Sequence, residues 1–532
     1  MRKKHIKNIN LKYTSKDIVQ QDSLHDSDAL HFDCGIALDD VLPDHNSDID
    51  KYLGHYNQSA SKGFISIQQG LIILFCITAF SFFLMELPEI MIPAFLIFGS
   101  ILHFSLTTIK YLMFSLKEKI VSLRETYFNS IKELFQNDSN DVDYPIYSIL
   151  LPLLTEEKKV LEQLLEAISN LNYPKEKLQV LLILEANDNE TINNLKEINS
   201  ELQYDVIIVP DFKPRTKAKA CNYALNFIKG EYVVIFDADD IPSPDQLKLV
   251  VERFKNQDPK LGCLQAKLNY YNADENLLTR LFSLEYAVLF DKLLPSLSQN
   301  DYPLPLGGTS NHFRADVLKE LRGWDIYNLA EDAEIGMRLA MNGYKTETID
   351  SYTAEESPVT VMAWIKQRSR WLKGFIQTYL LHLQKDNNLT DKIGARKSFV
   401  SMHFMLGLST LSLLITPFMI GLGLSLALEY TTINSEINHF ILRFSGISAG
   451  LWIINSMYQS VKTIKSSAFL KQMSAMKKII LTIAFPAYFI LHAIAALYAV
   501  FDLIRRPFYW SKTKHGVTKN RLSIAKLFKR NR

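Results

Sequence analysis

Residues Tyr232-Val-Val-Ile-Phe-Asp-Ala-Asp-Asp240 form an apolar run that ends in a cluster of carboxylates. Three similar apolar runs precede it along the chain: Ser148-Ile-Leu-Leu-Pro-Leu-Leu154, Val180-Leu-Leu-Ile-Leu184 and Val206-Ile-Ile-Val209. Such runs are typical of parallel strands that are covered on both faces. Residues 156–171 and 219–228 show helical periodicity between them. The sequence therefore predicts an α/β domain with a mostly parallel, Rossmann-like sheet, within residues 140–390.

Polar clusters follow three of these strands, at the point where each strand ends. They are Glu185-Ala-Asn-Asp188, Pro210-Asp-Phe-Lys213 and Asp237-Ala-Asp239-Asp240. Ligands of open parallel sheets bind beyond the carboxyl ends of the strands. Asp237 and Asp239 at one such end are suitable oxygen ligands for Mg²⁺ or Mn²⁺. Because Ile-Pro-Ser-Pro follows them, the same residues also suit a solvated turn, and both interpretations stay open.

A cationic loop, Lys213-Pro-Arg-Thr-Lys-Ala-Lys-Ala-Cys-Asn-Tyr-Ala-Leu225, runs into a predicted helix. Lys217 and Lys219, near the helix start, could meet a pyrophosphate with side-chain charge and backbone N–H groups. A cationic helix face that only contacts solvent is the alternative. Because the loop falls between two strand ends of the same sheet, its position favours phosphate binding.

Glu331 and Asp332 open a further helical pattern. Acidic residues in a first helical turn commonly serve only the helix dipole. The functional alternative is a general base, because transfer to a hydroxyl acceptor requires removal of the acceptor proton.

The segment Trp364-Ile-Lys-Gln-Arg-Ser-Arg-Trp-Leu-Lys-Gly374 lies on a predicted interfacial helix over residues 360–383. Its cations and tryptophans also suit a membrane-interface helix with no catalytic role. Gln367, Arg370 and Trp371 are spaced i, i+3 and i+4, so one helix face can present all three side chains. The arginine could hold a departing phosphate and the indole could form a wall for a sugar ring.

Two apolar blocks of membrane length flank this domain. The chain has 532 residues, a hydrophobic fraction of 48% and a formal net charge of +2. Its apolar and charged residues are unevenly distributed along the sequence. The first block breaks at Glu86, Glu89 and Pro93, which predicts a two-helix transmembrane hairpin over residues 63–115. A pair of buried soluble helices is the alternative.

The second block predicts a C-terminal transmembrane region over residues 398–505, with about three apolar segments. Cations flank the last segment, residues 479–503, on both sides, which a simple crossing would not favour. A re-entrant or surface-lying segment broken at Pro486 would resolve the conflict, as would an extra turn within residues 399–428.

The remaining segments are a polar leader, residues 1–62, and a basic tail, residues 506–532. Basic residues in the leader and at Lys110, Lys117 and Lys119 follow the positive-inside tendency, which predicts that the leader and the α/β domain face the cytoplasm. The four cysteines have neither metal-ligand nor disulfide spacing, so no chemistry is assigned to them.

As a combination, these motifs resemble the family 2 glycosyltransferases, and within them the processive membrane synthases of cellulose, hyaluronan and chitin. The ordered set is Asp188, Asp237-Ala-Asp239, Glu331-Asp332 and Gln367-Arg-Ser-Arg-Trp371. Three further segments look like those of a bacterial cellulose-synthase-like branch: Pro214-Arg-Thr-Lys-Ala-Lys-Ala-Cys-Asn222, Leu306-Gly-Gly-Thr-Ser-Asn-His-Phe-Arg314 and Arg506-Pro-Phe-Tyr-Trp-Ser-Lys-Thr-Lys-His-Gly516. The resemblance covers about residues 71–516 and implies a GT-A fold on the cytoplasmic side of a bacterial inner membrane.

The resemblance also implies a role for each matching residue. Asp188 would contact the uracil or ribose, and Lys219 would lie near the nucleotide and its phosphates. Asp237 would support the nucleotide sugar, with Asp239 as the main protein ligand of Mg²⁺ or Mn²⁺. The remaining roles fall to two later motifs: Asp332, preceded by Glu331, would be the catalytic base, Gln367 and Arg370 would bind diphosphate, and Trp371 would line the acceptor site. Related synthases usually have threonine where this chain has Ala330, so the orientation of the acceptor sugar is the part most affected.

The function expected from the sequence is inverting transfer of a hexose from a UDP-sugar to a growing polysaccharide. A non-processive enzyme that adds one sugar to a lipid acceptor would use the same residues. The expected partners are thus the UDP-sugar, a polysaccharide or glycolipid acceptor and membrane lipid, with no nucleic acid. A remote alternative is an inactive scaffold or transport subunit of a polysaccharide export complex, and the intact carboxylates argue against it.

Overall fold

The computed structural model of the chain describes residues 63, 65–116, 143–211, 213–255, 258–384, 393–428, 436–509 and 518. The predicted leader 1–62, which includes Cys34, lies outside the described residues, as do Lys117 and Lys119. Of the predicted tail 506–532, only residues 506–509 and 518 are described.

Helices and strands are numbered in chain order. Two helices come first, α1 (Ile67–Glu86) and α2 (Pro88–Leu116). The α/β domain follows, with β1 (Tyr147–Leu153), α3 (Lys158–Ser169), β2 (Leu178–Glu185), α4 (Asn189–Lys196), β3 (Asp205–Val209), α5 (Lys217–Ala224), β4 (Tyr232–Ile235), β5 (Ile241–Pro242), α6 (Gln246–Lys255), β6 (Leu261–Tyr270), α7 (Leu277–Val288), α8 (Leu294–Gln299), β7 (Asn311–Arg314), α9 (Ala315–Glu320), α10 (Glu331–Met341), β8 (Lys345–Glu355) and α11 (Val361–Leu383). Four helices come last, α12 (Ile393–Met402), α13 (Ser409–Leu428), α14 (Glu436–Ser466) and α15 (Ala475–Arg505).

Eight strands form one sheet in the order β3-β2-β1-β4-β7-β6-β8-β5. Strands β3, β2, β1 and β4 are parallel to one another, and β6 is parallel to β8. Strand β7 runs antiparallel between β4 and β6, and β5 runs antiparallel to β8. The predicted α/β fold with a mostly parallel sheet is confirmed.

The four apolar runs of the sequence correspond to β1 to β4. In the central strand, Leu150 pairs with Leu181 on one side and Ile235 on the other, and all three side chains are buried. The apolar runs do not predict the later strands, because these carry fully buried polar residues such as Gln265 in β6 and Thr353 in β8. Gln265 Nε2 donates to the Thr309 carbonyl oxygen at 3.0 Å, and the Thr353 hydroxyl accepts from Gln246 Nε2 of α6 at 3.2 Å, which makes the burial of both side chains tolerable.

Helix α5 begins two residues before its predicted start and ends at Ala224 rather than at residue 228. The Thr216 hydroxyl accepts a hydrogen bond from the backbone N–H of Lys219, which caps the helix at its observed start. This cap fixes the first turn of α5, and with it Lys217, near the carboxyl ends of the parallel strands.

Five helices of the described part are long and apolar enough to cross a membrane. They are Ile67–Glu86, Pro88–Met113, Arg396–Ser425, His439–Ser466 and Ala475–Arg505. The third of these joins α12 to α13 through a π-helical turn, His403–Leu408. The first two correspond to the predicted hairpin and are separated by Leu87 alone. Helix α1 has no buried residue, and apolar surface of this extent calls for lipid or protein cover.

Helix α15 is continuous across Pro486 and has 31 residues, which gives a length of about 45 Å. Near its start, Lys477 Nζ lies 2.6 Å from an Asp274 carboxylate oxygen of the α/β domain. Near its end, Asp502 accepts a hydrogen bond from Lys373 Nζ of α11 at 2.7 Å. Both ends of this helix therefore contact the same domain.

The start of α10 and the middle of α11 approach each other closely. A Cβ atom on Gly374 would lie 2.5 Å from the Ala330 backbone nitrogen and 2.6 Å from the Ala330 Cβ. Ala330 is the N-cap residue of α10, and its side chain makes no capping hydrogen bond. The small residues at these two positions thus set the distance between the two helices.

Replacing Gly374 with alanine would force α11 away from α10. Overpacking of this kind costs about 1–3 kcal/mol, so we expect a lower unfolding temperature for the purified protein. The matched control is Gly446→Ala in α14, where an added Cβ would have no neighbour within 4 Å. There the better helix propensity of alanine should stabilise by up to about 1 kcal/mol. Equal effects of the two variants on thermal unfolding would contradict the close approach.

Candidate active site

A cavity of about 180 Å³ lies beyond the carboxyl ends of β1, β2 and β4. Its lining includes seven of the nine residues to which the family resemblance assigns a role: Asp237, Asp239, Glu331, Asp332, Gln367, Arg370 and Trp371. The sheet supplies the first two, α10 the next two and α11 the last three. The tertiary structure therefore brings together three motifs that are far apart in the sequence.

The turn after β4 carries three aspartates, Asp237, Asp239 and Asp240, and is partly buried. Asp240 accepts hydrogen bonds from the Asp237 backbone N–H at 2.6 Å and from the Thr309 hydroxyl. Burial, followed by the charges of Asp237 and Asp239, raises the pKa of Asp240 well above its usual range. Burial and the three aspartates raise the pKa of Glu355 in the same way. This end of the cavity therefore carries negative charge that favours protons or a bound cation.

Two buried carboxylate oxygens in this cluster lack a protein partner. Asp240 Oδ1 and Glu355 Oε1 accept no hydrogen bond from any residue that the structure describes. Asp239 Oδ2, by contrast, accepts from the Glu356 backbone N–H at 2.8 Å. Glu355 and Glu356 were not among the predicted site residues, although an acidic pair at the end of an alternating strand is a signal that could have found them.

Lys217 faces this acidic cluster from the first turn of α5. Its ammonium group pairs with Asp237 and donates to the Gly308 carbonyl oxygen at 2.6 Å. Burial acts to lower the pKa of Lys217, but the charges of Asp237 and Glu331 outweigh it and raise the pKa. Lys217 is therefore a fixed cation at the cavity wall.

Lys219, the predicted phosphate contact, does not line the cavity. Its side chain is fully buried, and Nζ lies 2.7 Å from Glu185 Oε2. Glu185 does line the cavity, so Lys219 lies behind the wall.

Asp188, the predicted nucleotide contact, also lies outside the cavity lining. Its carboxylate accepts from the Thr155 backbone N–H at 2.6 Å and from the Thr191 hydroxyl at 2.6 Å. It also caps α4 through the Thr191 backbone N–H. The structure thus gives Asp188 a part in holding β1 to the start of α4, and its contact with a nucleotide stays a prediction.

Asp332 lies in the first turn of α10 with its carboxylate at the cavity. Burial, followed by the charge of Glu331, raises its pKa to about 7. Burial likewise raises the pKa of Glu331, against the opposing charges of Lys217 and Arg370. A carboxylate that titrates near neutral pH can take up a proton from a bound hydroxyl group.

Gln367, Arg370 and Trp371 line the cavity together, as their helical spacing predicts. Burial lowers the pKa of Arg370, while the charges of Glu331 and Asp332 favour its charged form. The Gln367 Oε1 atom is buried and accepts no hydrogen bond within the described part of the chain. This face of α11 therefore presents a guanidinium, an amide and an indole to one space.

Trp371 is held from behind by a charged group that sequence reasoning missed. The Arg368 guanidinium lies 4.6 Å from the Trp371 ring centroid, and its Nη2 lies 2.6 Å from Glu285 Oε1. Glu285 also accepts from the Tyr488 hydroxyl at 2.8 Å and lies 3.2 Å from His492 Nε2. Burial opposes ionisation of Glu285, but Arg368 and His492 outweigh it and lower the pKa of Glu285 to about 2. Helix α15 thereby contributes to the support of the cavity wall.

Thr518 is another contact that the motifs did not indicate. Its backbone N–H donates to Glu356 Oε1 at 2.6 Å, and its hydroxyl donates to Glu275. The described part of the C-terminal tail thus reaches the edge of the cavity, because Glu356 is one of the lining residues.

Comparison with known proteins gives a family for this domain. A sequence model described as "Glycosyltransferase like family 2" matches residues 145–374. The probable glycosyltransferase YdaM of Bacillus subtilis (strain 168) is 26% identical over 366 residues, which are 62% of this chain and 86% of YdaM.

Two solved structures overlap the chain at lower similarity. The mannosyltransferase PcManGT from Pyrobaculum calidifontis, in complex with GDP-Man and Mn²⁺, is 19% identical, with a TM-score of 0.43 over 75% of this chain and 99% of its own. S. aureus TarS 1–349 is 14% identical, with a TM-score of 0.35 over 70% of this chain and 97% of its own.

The family match begins just before β1 and ends within α11, so it contains the whole predicted set of site residues, from Asp188 to Trp371. The relative from B. subtilis carries the same kind of activity in its description. The protein is therefore a glycosyltransferase that carries a family 2 domain at residues 145–374.

Proposed function

We propose that the protein is a membrane-bound, inverting glycosyltransferase that transfers a hexose from a UDP-sugar to a growing polysaccharide. One observation carries the proposal: Asp332, with a pKa of about 7, lines the same cavity as Arg370 and the Asp237–Asp239 pair. A base, a cation for phosphate and oxygen ligands for a metal thus surround one space. The resemblance to the polysaccharide synthases supports the choice of UDP-sugar and polymer.

In the proposed reaction, Asp332 accepts the proton of the acceptor hydroxyl group as that oxygen attacks the anomeric carbon. The new oxygen–carbon bond forms while the bond from the anomeric carbon to the phosphate oxygen breaks. The nucleoside diphosphate leaves with the bonding electrons, and Arg370 and Lys217 are placed to stabilise its charge. Attack opposite to the leaving group inverts the anomeric configuration.

The residues present fit a divalent ion, although no three described His, Cys, Asp or Glu side chains already form a metal site. Asp237 and Asp239 would hold it, as Mg²⁺ and Mn²⁺ commonly take one or two protein carboxylates and complete their shell with substrate phosphates. The unpartnered oxygens of Asp240 and Glu355 and their raised pKa values indicate unbalanced negative charge beside this pair. When bound, the ion would neutralise charge on the departing diphosphate.

The indole of Trp371 is proposed as the acceptor wall. It lies at the cavity with Tyr286, whose ring centroid is 6.1 Å from that of Trp371. Aromatic faces suit the apolar face of a sugar ring. The donor phosphates would lie on the side of Lys217, so the two substrates would meet at Asp332.

The membrane arrangement belongs to the same proposal. We place α1, α2, the α12–α13 segment and α14 across the membrane, with the domain of residues 140–390 on its cytoplasmic side. Helix α15 would lie along the membrane-facing side of that domain, since Lys477 and Asp502 tie both of its ends to it. This placement removes the conflict with the cations that flank its apolar stretch. In this scheme residues 360–383 are the interfacial helix, and the segments 1–62 and 506–532 are cytoplasmic.

The direct test is incubation of the detergent-purified full chain with radiolabelled UDP-glucose, UDP-N-acetylglucosamine or UDP-galactose, with Mg²⁺ or Mn²⁺. We expect one donor to give product of high molecular mass on gel filtration. Label confined to a small lipid-soluble product would favour the lipid-acceptor alternative instead. No metal-dependent turnover of any donor by folded protein would revive the inactive-scaffold alternative.

Replacing Asp332 with asparagine should lower the transfer rate by about 10²–10⁴-fold, because the proton acceptor is lost. In the unchanged protein only the deprotonated carboxylate is active, so the rate should rise by up to about tenfold from pH 6 to pH 8. The titration belongs to the coupled Glu331–Asp332 pair. Asp316→Asn, in an exposed ion pair with Arg314, is the matched control and should keep both rate and pH profile. Full activity of the Asp332→Asn variant would exclude Asp332 as the catalytic base.

Replacing Asp239 with asparagine should raise the Mg²⁺ or Mn²⁺ concentration for half-maximal transfer by about tenfold or more, since a charged oxygen ligand is lost. Asparagine retains an oxygen that can accept the hydrogen bond from the Glu356 N–H group, so folding should be little affected. Titration of the metal at saturating donor measures the effect, with Asp316→Asn again as the control. An unchanged metal requirement would remove Asp239 from the proposed ligand set.

A further inference from the structure

A second, larger cavity lies between α2, α13, α14 and the first half of α15. Its volume is about 610 Å³, within the range of about 300–1,000 Å³ that is typical of ligand sites. Three of these helices are candidate membrane spans in the proposed arrangement. No step of the proposed transfer reaction uses this space.

One wall of the cavity is polar and deeply buried. Ser100 of α2 and Ser448 of α14 are almost fully buried, as are Asn455 and Gln459. Asn455 Oδ1 has no hydrogen-bond partner among the described residues. The Ser448 hydroxyl already donates to the Ser100 carbonyl oxygen at 3.0 Å, and the Ser100 hydroxyl donates to Ser445 Oγ at 3.0 Å, whereas the buried Asn455 oxygen would be stabilised by a hydrogen-bond donor of a ligand or water.

The charge of the cavity is positive. Lys110 of α2 lines it, and within the described ranges no Asp or Glu does. No described residue forms a hydrogen bond or an ion pair with the Lys110 ammonium group. A cation in this position requires a counter-ion, so the cavity calls for an anion.

The apolar rim of the cavity indicates the route of entry. Ile420, Ile453, Ile483 and Ile490 all belong to the lining, and each is exposed on the outside of the helices. A mouth bordered by exposed isoleucine on α13, α14 and α15 opens toward hydrocarbon rather than water. A soluble anion would have to pass this rim, whereas a lipid would enter with its chain.

We propose that this cavity binds one anionic membrane lipid, with its phosphate group at Lys110 and an acyl or prenyl chain that leaves the cavity along the isoleucine rim. The ten residues from Lys110 to Ser100 span about 15 Å of helix, which gives room for a chain beyond the head group. Asn455 lies close to the Lys110 end of the cavity, since its Nδ2 contacts the Thr107 carbonyl oxygen at 3.4 Å, and its amide oxygen can accept a hydrogen bond from a hydroxyl of the head group. The proposal is independent of the donor and acceptor assigned above.

Lipid retention tests this proposal without any transfer assay. The full chain is purified in mild detergent, incubated with an equimolar mixture of phosphatidylglycerol and phosphatidylcholine, and washed. Mass spectrometry then gives the lipid that remains per protein. We expect phosphatidylglycerol to be retained in preference, and Lys110→Gln to reduce that preference by about tenfold, the effect of losing roughly 1.4 kcal/mol.

Two further variants separate the cavity from general surface charge. Lys465→Gln, at an exposed lysine near the end of α14 that is outside the lining, is the matched control and should retain lipid as before. Ala449→Phe fills the cavity from α14 without changing charge, and should abolish retention. Thermal unfolding of each variant checks that it is folded.

Three outcomes would overturn the proposal. The first is equal retention of the two lipids by the unchanged protein, and the second is equal loss of phosphatidylglycerol from the Lys110 and Lys465 variants. The third is displacement by millimolar inorganic phosphate, which would assign the site to a soluble anion. Asp332→Asn should retain lipid even though its transfer activity is lost, so failure of the transfer proposal and failure of this one are distinguishable.

Discussion

The candidate active site holds more carboxylates than cations, and this imbalance governs the ionisation of the side chains around it. Several carboxylates, from Asp237 to Glu355, converge there, and Lys217 and Arg370 face them as cations. Burial makes such an excess of negative charge unfavourable, which is why the pKa values of Asp240, Glu355 and Asp332 are raised. The site is thus suited to bind a metal ion, a proton or both.

The positions of the two cations follow from backbone features rather than from charge. Thr216 caps α5 and so fixes the turn that carries Lys217. The close approach of Gly374 to Ala330 brings α11 against the start of α10, and Arg370 lies one turn before that contact. A threonine at position 330 would add atoms where α10 and α11 already pack closely.

Much of the site could be predicted from the sequence because its motifs follow local rules. A strand end holds Asp237 and Asp239, a helix start holds Asp332, and the spacing i, i+3 and i+4 gathers Gln367, Arg370 and Trp371. Prediction from the sequence fails where the position of a side chain depends on tertiary contacts. Lys219 pairs with Glu185 and Asp188 binds Thr155 and Thr191, contacts that no local pattern reveals. The later strands were missed since buried polar residues interrupt their apolar pattern.

The side chains that support Trp371 come from distant parts of the chain. Arg368 lies against the indole, its counter-ion Glu285 belongs to α7, and two of the groups that hold Glu285 come from α15, more than a hundred residues further along the chain. An excised family 2 domain would keep every proposed catalytic carboxylate but would lose Tyr488 and His492. Glu285 would then be hydrated and Arg368 free to turn away from the ring. Such a fragment would keep the proposed catalytic residues but lose part of the support of the cavity wall. A soluble version of this enzyme would therefore have to include α15.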